Sequence, residues 1–283
     1  MRKNVLDTDL TGKVAVVTGA SGVLCSAFAK ALGRAGAKVA LLARHLDGCE
    51  AVAGEIRAEG GTAKAYACDV LDRARCDEVA SQVLEELGPC DILINGAGGN
   101  SARATTDKEY FEPGDLEGDT RSFFDLSAED VGSVFNLNFL GTLIPTQVFA
   151  AQMVGREGCC IVNISSMNAY TPLTKIPAYS GAKSAVSNFT QWLAVHFSRV
   201  GIRVNGIAPG FFSGKQNARL LWNEDGTPTA RTQKILAATP MGRFGLSEEL
   251  EGALLFLVNE RAASFITGVV IPVDGGFSAY SGV

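Results

Sequence analysis

Short runs of β-branched and apolar residues alternate with longer helix-period segments along nearly the whole chain, and this rhythm limits the fold more than any other feature. Strands are expected at Lys13–Thr18, Lys38–Leu42, Ala63–Ala67, Asp91–Asn95, Cys159–Ile164, Arg203–Ile207 and Val269–Val273. Helices are expected at Val23–Arg34, Gly48–Glu59 and Arg73–Leu87, from Ser127, through Tyr179 and Lys183 to Arg199, and at Ser247–Val258. Ser127 and Asp130 form a capping pair at the start of the fourth helix, and Pro145 is expected to bend or interrupt it. Strands separated by helices form parallel pairs through right-handed crossovers. The expected fold class is therefore α/β, one doubly wound parallel sheet with helices on both faces. At 283 residues and 47% hydrophobic composition, the chain is read as a single domain over 1–283 with a large core.

Composition removes several classes of function. The formal charge of −5 is spread over interspersed acidic and basic residues, which leaves no basic stripe for nucleic acid and no polybasic membrane patch. No stretch approaches the roughly 20 apolar residues of a membrane span, and the N-terminal segment lacks the apolar core of a signal peptide, so a cytoplasmic location is expected. Seven cysteines at irregular spacing include no Cys-x-x-Cys pair and read as buried reduced thiols. His45 and His196 have no flanking Cys or His, and no catalytic metal is expected; His196 reads as a helix residue with a satisfied nitrogen.

Two long segments, about 99–126 and 211–246, are polar or irregular, and both follow strands. Loops of that length in an α/β fold are usually functional. They are expected to form a substrate loop and a lid around a pocket for a small molecule. The turn Thr18-Gly19-Ala20-Ser21-Gly22-Val23-Leu24-Cys25 opens into a helix after the first strand, where small residues let the backbone approach a pyrophosphate. Asn95-Gly96-Ala97-Gly98 gives a second close approach after the fourth strand. The second strand ends in Leu42-Ala43-Arg44-His45 with no carboxylate for a ribose 2′-hydroxyl, which favours NADP(H) over NAD(H). Asp69 either binds the adenine edge or caps the next turn.

Tyr179 and Lys183 stand four apart, so a helix puts both on one face. An adjacent ammonium favours phenolate, and on this spacing the tyrosine pKa is expected to fall from about 10, giving a proton donor and acceptor for a carbonyl–alcohol pair. The apolar strand Cys159–Ile164 delivers Ser165 and Ser166 at its C-terminal end, where open parallel sheets bind ligands.

Taken together, the glycine turn, Asn95–Gly98, Asn138 in Asn-Phe-Leu-Gly, Ser166, Tyr179 with Lys183, and Pro209-Gly210 resemble the short-chain dehydrogenase/reductase family over nearly the whole chain. The resemblance implies a Rossmann-like fold, a frequent homotetramer and a catalytic set of Asn138, Ser166, Tyr179 and Lys183. In that set Ser166 gives a second hydrogen bond to the substrate oxygen, Asn138 supports a proton relay, Lys183 also holds the nicotinamide ribose, and Pro209-Gly210 backs the nicotinamide. Cofactor contacts are expected from Gly19, Ser21, Gly22, Val23, Leu24, Arg44, His45, Asp69, Val70, Asn95, Ala97, Gly98, Tyr179, Lys183, Pro209, Gly210 and Phe212. Two departures stand out: Val23 and Cys25 occupy the last two glycine positions of the family turn, and Gly214 replaces the threonine often found after Pro-Gly.

Within the family the sequence is similar to the D-mannonate oxidoreductases, or fructuronate reductases, of short-chain type. This rests on Asn95–Asn100, Ser165–Tyr179, Phe211-Phe212, Thr239–Gly245 and Asp274–Val283. The implied reaction is reversible reduction of a keto-sugar acid, with gluconate 5-dehydrogenase or another polyol or ketone reductase as the enzymatic alternative. A non-catalytic nucleotide-binding regulator is the alternative from another class. A carboxylate and several hydroxyls call for cations and amides. Substrate contacts are accordingly expected from Asn100, Arg103, Ser166, Asn168, Lys175 and Tyr179. Arg103, and Arg219 in the lid, read equally as solvated loop charges, and Arg243 as an ion-pair partner of Glu248 or Glu249.

Overall fold

In the computed structural model, which describes residues 5–214 and 221–282, alternate residues of each central strand serve opposite layers. Ala15 and Val17 pack with Phe28, Leu32, Leu254 and Leu257 on one side of the sheet. Val14 and Val16 pack with Phe149, Met153 and Leu193 on the other. Both layers are apolar, which is why the strands read as continuous hydrophobic runs. Each fully buried large side chain contributes about 1.5–3 kcal/mol.

The strands are β1 (Val14–Thr18), β2 (Lys38–Ala43), β3 (Thr62–Ala67), β4 (Ile92–Asn95), β5 (Cys159–Ile164), β6 (Ile202–Pro209) and β7 (Val270–Val273). They form one parallel sheet in the order β3-β2-β1-β4-β5-β6-β7. Val17 pairs with Leu41 of β2 on one side and Ile94 of β4 on the other. Connections run in opposite directions from β1 and β4, so the crevice beyond their carboxyl ends is the place for a ligand.

Helices α1 (Val23–Arg34), α2 (Leu46–Ala58) and α3 (Arg73–Glu86) follow the first three strands. α4 (Ala128–Phe135) begins at the expected cap: the Ser127 Oγ accepts from Asp130 N at 3.0 Å and donates to its carboxylate at 2.8 Å. The expected irregularity at Pro145 lies earlier. A π turn at Asn136–Leu140 joins α4 to α5 (Gly141–Ala150), and Pro145 sits within α5. The carbonyl four residues before Pro145 belongs to Gly141, where the π turn has already shifted the hydrogen-bond ladder.

α6 (Pro177–His196) packs on β5 and β6. The exposed His196 stacks on Trp192, with ring centroids 4.6 Å apart. The segment 211–246 is less irregular than expected, because Thr229 caps a helix α7 (Ala230–Ala238) within it. Residues 215–220, including Arg219, lie outside the described residues. α8 (Glu251–Val258) follows a 3-10 turn at Ser247–Leu250. Arg243 pairs with both carboxylate oxygens of Glu249, at 2.8 and 2.7 Å. All seven cysteines are buried and free, and no described helix is long and apolar enough to cross a membrane.

Candidate active site

The carboxyl ends of β1 to β6 open into a groove of about 580 Å³. Its floor is fastened by Thr18: the Oγ accepts from Gly96 N at 3.1 Å and Ala97 N at 3.2 Å, which ties the tips of β1 and β4 together. Gly22 caps α1 with no side-chain hydrogen bond, and the first turn holds no acidic residue. The N–H groups there suit a pyrophosphate. Arg44 and His45 line the groove beyond β2, where a ribose 2′-phosphate would lie. Asp69 lines it too, and its carboxylate also accepts from Leu71 N at 3.0 Å, so it caps the turn as well.

Cys25 changes the family turn in a specific way. A Cβ at Gly96 would overlap the Cys25 Sγ, so the thiol fills the cleft between α1 and the β4 tip. Burial pushes the thiol up to about 12, opposed by the charge of Lys183. The helix starts at Val23, with Gly22 as its N-cap.

Every expected cofactor residue except Asn95 lines the groove. The Asn95 side chain turns into the core, where Nδ2 donates to Thr146 Oγ1 and Asn163 Oδ1, both at 2.9 Å. Its strand neighbour two residues back, Leu93, belongs to the same α5-facing layer. Period-2 alternation sends Asn95 there.

The four catalytic candidates converge at one end of this groove. Ser166, Tyr179 and Lys183 line it, and Asn138 lies just behind Gly98 and Gly99. A Cβ at Gly98 would come 2.6 Å from Asn138 Oδ1 and 3.2 Å from Lys183 Nζ. The two groups therefore flank a single backbone atom. Asn138, in the π turn, is gripped by Gly99: Nδ2 donates to the Gly99 carbonyl at 2.8 Å, and Gly99 N returns to Oδ1 at 3.1 Å. The Ser166 Oγ accepts from Asn168 N at 3.2 Å, which leaves the serine proton for another acceptor.

The Lys183 ammonium donates to the Ile164 carbonyl at 2.8 Å and lies 5.6 Å from the Tyr179 ring centroid. Burial of the ammonium lowers its pKa to about 8. The expected fall in the tyrosine pKa is overturned. Burial raises the phenol above its ordinary value, and the hydrogen bond with Ser166 only partly opposes this. Desolvation sets the direction of the shift, and the phenol is protonated at neutral pH.

Of the expected substrate residues, Ser166 and Tyr179 line the groove, whereas Asn100, Arg103, Asn168 and Lys175 do not. The exposed Asn100 donates to Thr105 Oγ1 at 2.9 Å. Arg103 has 82% of its side chain exposed and faces Asp130 at 3.9 Å, a solvated loop charge. Asn168 is buried, and its Oδ1 has no hydrogen-bond partner. Lys175 has φ +71°, and its carbonyl accepts from Thr106 N at 2.9 Å. Cys25, Cys68, Leu137, Ser165 and Phe211 also line the groove. Adjacency to Asn138 and Ser166 points to Leu137 and Ser165; the role of Cys25 depends on a contact between distant segments.

A family model for short chain dehydrogenases matches residues 13–224. The protein belongs to the short-chain dehydrogenase family. This dehydrogenase is an NAD(P)-dependent oxidoreductase. It is 59% identical, over 97% of its length and 96% of the relative, to an "Uncharacterized oxidoreductase" of Haemophilus influenzae. It is 35% identical, over 95% of its length and 96% of the relative, to gluconate 5-dehydrogenase of Gluconobacter oxydans. Among solved structures, a candidate D-mannonate oxidoreductase of Haemophilus with NAD bound is 58% identical, with a TM-score of 0.94 and 99% of each chain covered.

Proposed function

We propose that this dehydrogenase reversibly reduces the C5 keto group of a keto-sugar acid, D-fructuronate to D-mannonate in the favoured case. The observation that carries this reading is the likeness, along 99% of both chains, to the NAD-bound candidate D-mannonate oxidoreductase. The bound nicotinamide supplies hydride in reduction and accepts it in oxidation. Tyr179 holds the proton that passes to the carbonyl oxygen, and burial keeps that proton on the phenol at neutral pH. Ser166 directs its hydroxyl proton at the same oxygen. Lys183 orients the ribose and meets the phenolate charge as it develops. Asn138, locked to Gly99, supports proton return from solvent.

Gly19, Ser21, Gly22, Val23 and Leu24 would hold the pyrophosphate, Arg44, His45, Asp69 and Val70 the adenosine, and Ala97, Gly98, Pro209, Gly210 and Phe212 the nicotinamide. NADP(H) is preferred because Arg44 lines the groove and no carboxylate ends β2. NAD(H) is accepted, in keeping with the NAD-bound relative. Asn100, Arg103, Asn168 and Lys175 meet the sugar acid once it enters. The enzyme works in the cytoplasm as a homotetramer, a state that would cover the exposed Trp192 and Val195 of α6 and Phe265 before β7.

A second reading, 5-ketogluconate reduction, is favoured by the Gluconobacter relative. Steady-state rates on fructuronate, 5-ketogluconate and simple neutral ketones, each with NADH and NADPH, test both. The highest kcat/KM on fructuronate with NADPH is expected. A higher value on 5-ketogluconate moves the enzyme to the second reading, and no turnover of any keto acid overturns both.

A further inference from the structure

Two of the seven cysteines stand as a pair: the Cys68 and Cys76 sulfurs lie 3.7 Å apart in a thiol hydrogen bond. Cys68 follows β3 and Cys76 lies in α3, so the contact spans the turn between them. Both thiols also lie against one acceptor, the Asp69 carbonyl, at 3.8 and 3.7 Å. Cys68 lines the groove with Asp69 and Val70, at the end read above as the adenosine site. Its N–H donates to the Ala43 carbonyl at 2.8 Å, and Ala43 precedes Arg44 on the same wall. A shift of Cys68 therefore reaches both strand ends that frame this part of the groove.

The pair is arranged to react as a unit. Both residues are buried, and the groove is the way in to Cys68. Cys25 lines the groove as well, but burial pushes its thiol up to about 12. At Cys68 the hydrogen bond from Cys76 holds the thiol below its ordinary value and outweighs the burial that opposes it. Thiolate is the form that attacks a peroxide. Cys76 stands behind it as a resolving thiol, and the two sulfurs need to close by less than about 2 Å to reach disulfide length.

We propose that Cys68 and Cys76 are an oxidation site, at which a hydroperoxide forms a disulfide that weakens dinucleotide binding. Its effect on binding rests on the cofactor placement above. The Cys68 sulfur attacks the peroxide, an S–O bond forms as the O–O bond breaks, and the departing oxygen leaves as water or an alcohol with the thiol proton. The Cys76 sulfur then attacks the sulfenic acid, the S–S bond forms, and the oxygen leaves as water with the second thiol proton. Two electrons pass from the sulfurs to the peroxide, and both thiol contacts to the Asp69 carbonyl are lost. Linkage requires the reverse as well: a dinucleotide that prefers the reduced pair makes the disulfide easier to reduce.

To test it, the purified full chain is treated with hydrogen peroxide, desalted, digested and mapped by tandem mass spectrometry. A Cys68–Cys76 link with the loss of two hydrogens is expected. Fluorescence titration of the oxidised protein gives a Kd for NADPH about tenfold higher, a coupling of ordinary size between linked sites, and dithiothreitol restores it. In glutathione buffers, saturating NADP raises the reduction potential of the pair by about 30 mV, the same tenfold converted for two electrons. Cys76→Ala removes both the resolving thiol and its hydrogen bond; it binds NADPH as wild type does and loses the response to peroxide. Cys76→Ser takes its place if the alanine variant does not fold. Three results would overturn the proposal: no Cys68–Cys76 link, a link that leaves Kd and potential unchanged, or an equal loss of affinity in the peroxide-treated variant. A reduced wild-type protein that binds neither NADPH nor NADH overturns the cofactor reading itself, a result visible before any peroxide is added.

Discussion

Asn138, Ser166 and Lys183 are buried, and their side chains bond to backbone groups that the sheet and its connections hold in place. Asn100, Arg103 and Glu109 lie on a long loop, where Asn100 bonds within the loop and the other two reach charges on α4 and α7. The groove end is thus set by strand register and helix packing, and the rim by side chains that can be exchanged without disturbing either. Under the proposed function, hydride chemistry would belong to the first region and substrate choice to the second. Substitutions should separate them, with large effects on turnover at the groove end and small ones on stability at the rim.

The largest effect is expected at Tyr179. Tyr179→Phe removes the proton donor and lowers kcat by about 10³-fold, with cofactor affinity nearly unchanged by fluorescence titration. Wild-type turnover in that variant would break the division. Gly98→Ala comes next. The added methyl meets Asn138 and Lys183 together, and kcat falls by about 10–100-fold through misplacement of both groups, measurable in single-turnover reduction.

The pH response is third. Burial brings Lys183 from 10.5 to about 8, so kcat/KM for reduction declines as pH rises through about 8, well before a free lysine would titrate. Between those values the unfolded protein still holds a proton that the folded protein has released. Stability from this group therefore rises with pH in that window, and the rise disappears in Lys183→Met. Denaturant titrations at several pH values check the stability sign, and pH–rate profiles check the kinetic one. The smallest effect belongs to the rim: Lys234→Met loosens an exposed ion pair, and its denaturation midpoint matches wild type. A large loss of stability there would mean that the rim carries the fold.

This contrast also explains which features could be read from the sequence. All seven strands and α1 to α3 follow from apolar runs and punctuation that act locally, and their limits fall within a residue or two. Tyr179, Lys183 and Ser166 were visible because helical spacing and a strand end are local too. The direction of the Tyr179 shift was not, since it depends on how completely distant segments remove water from the phenol. The π turn at Asn136–Leu140 carries no glycine or proline to mark it. Asn95 was legible in principle, because alternation from Leu93 already directs it away from the groove. The left-handed Lys175 could not be foreseen, because nothing in Thr-Lys-Ile-Pro asks for that conformation.

The overlap between Cys25 and any side chain at position 96 has an evolutionary consequence. Two segments far apart in sequence share one small parcel of space, and the occupant of one decides what the other can become. A lineage with this thiol cannot enlarge residue 96, and one that has enlarged residue 96 cannot acquire the thiol. The two sites must drift as a pair. Relatives that carry a glycine in the helix and a bulkier residue at the strand tip would keep the same cleft by the opposite assignment, although a motif search would score the two sequences as different.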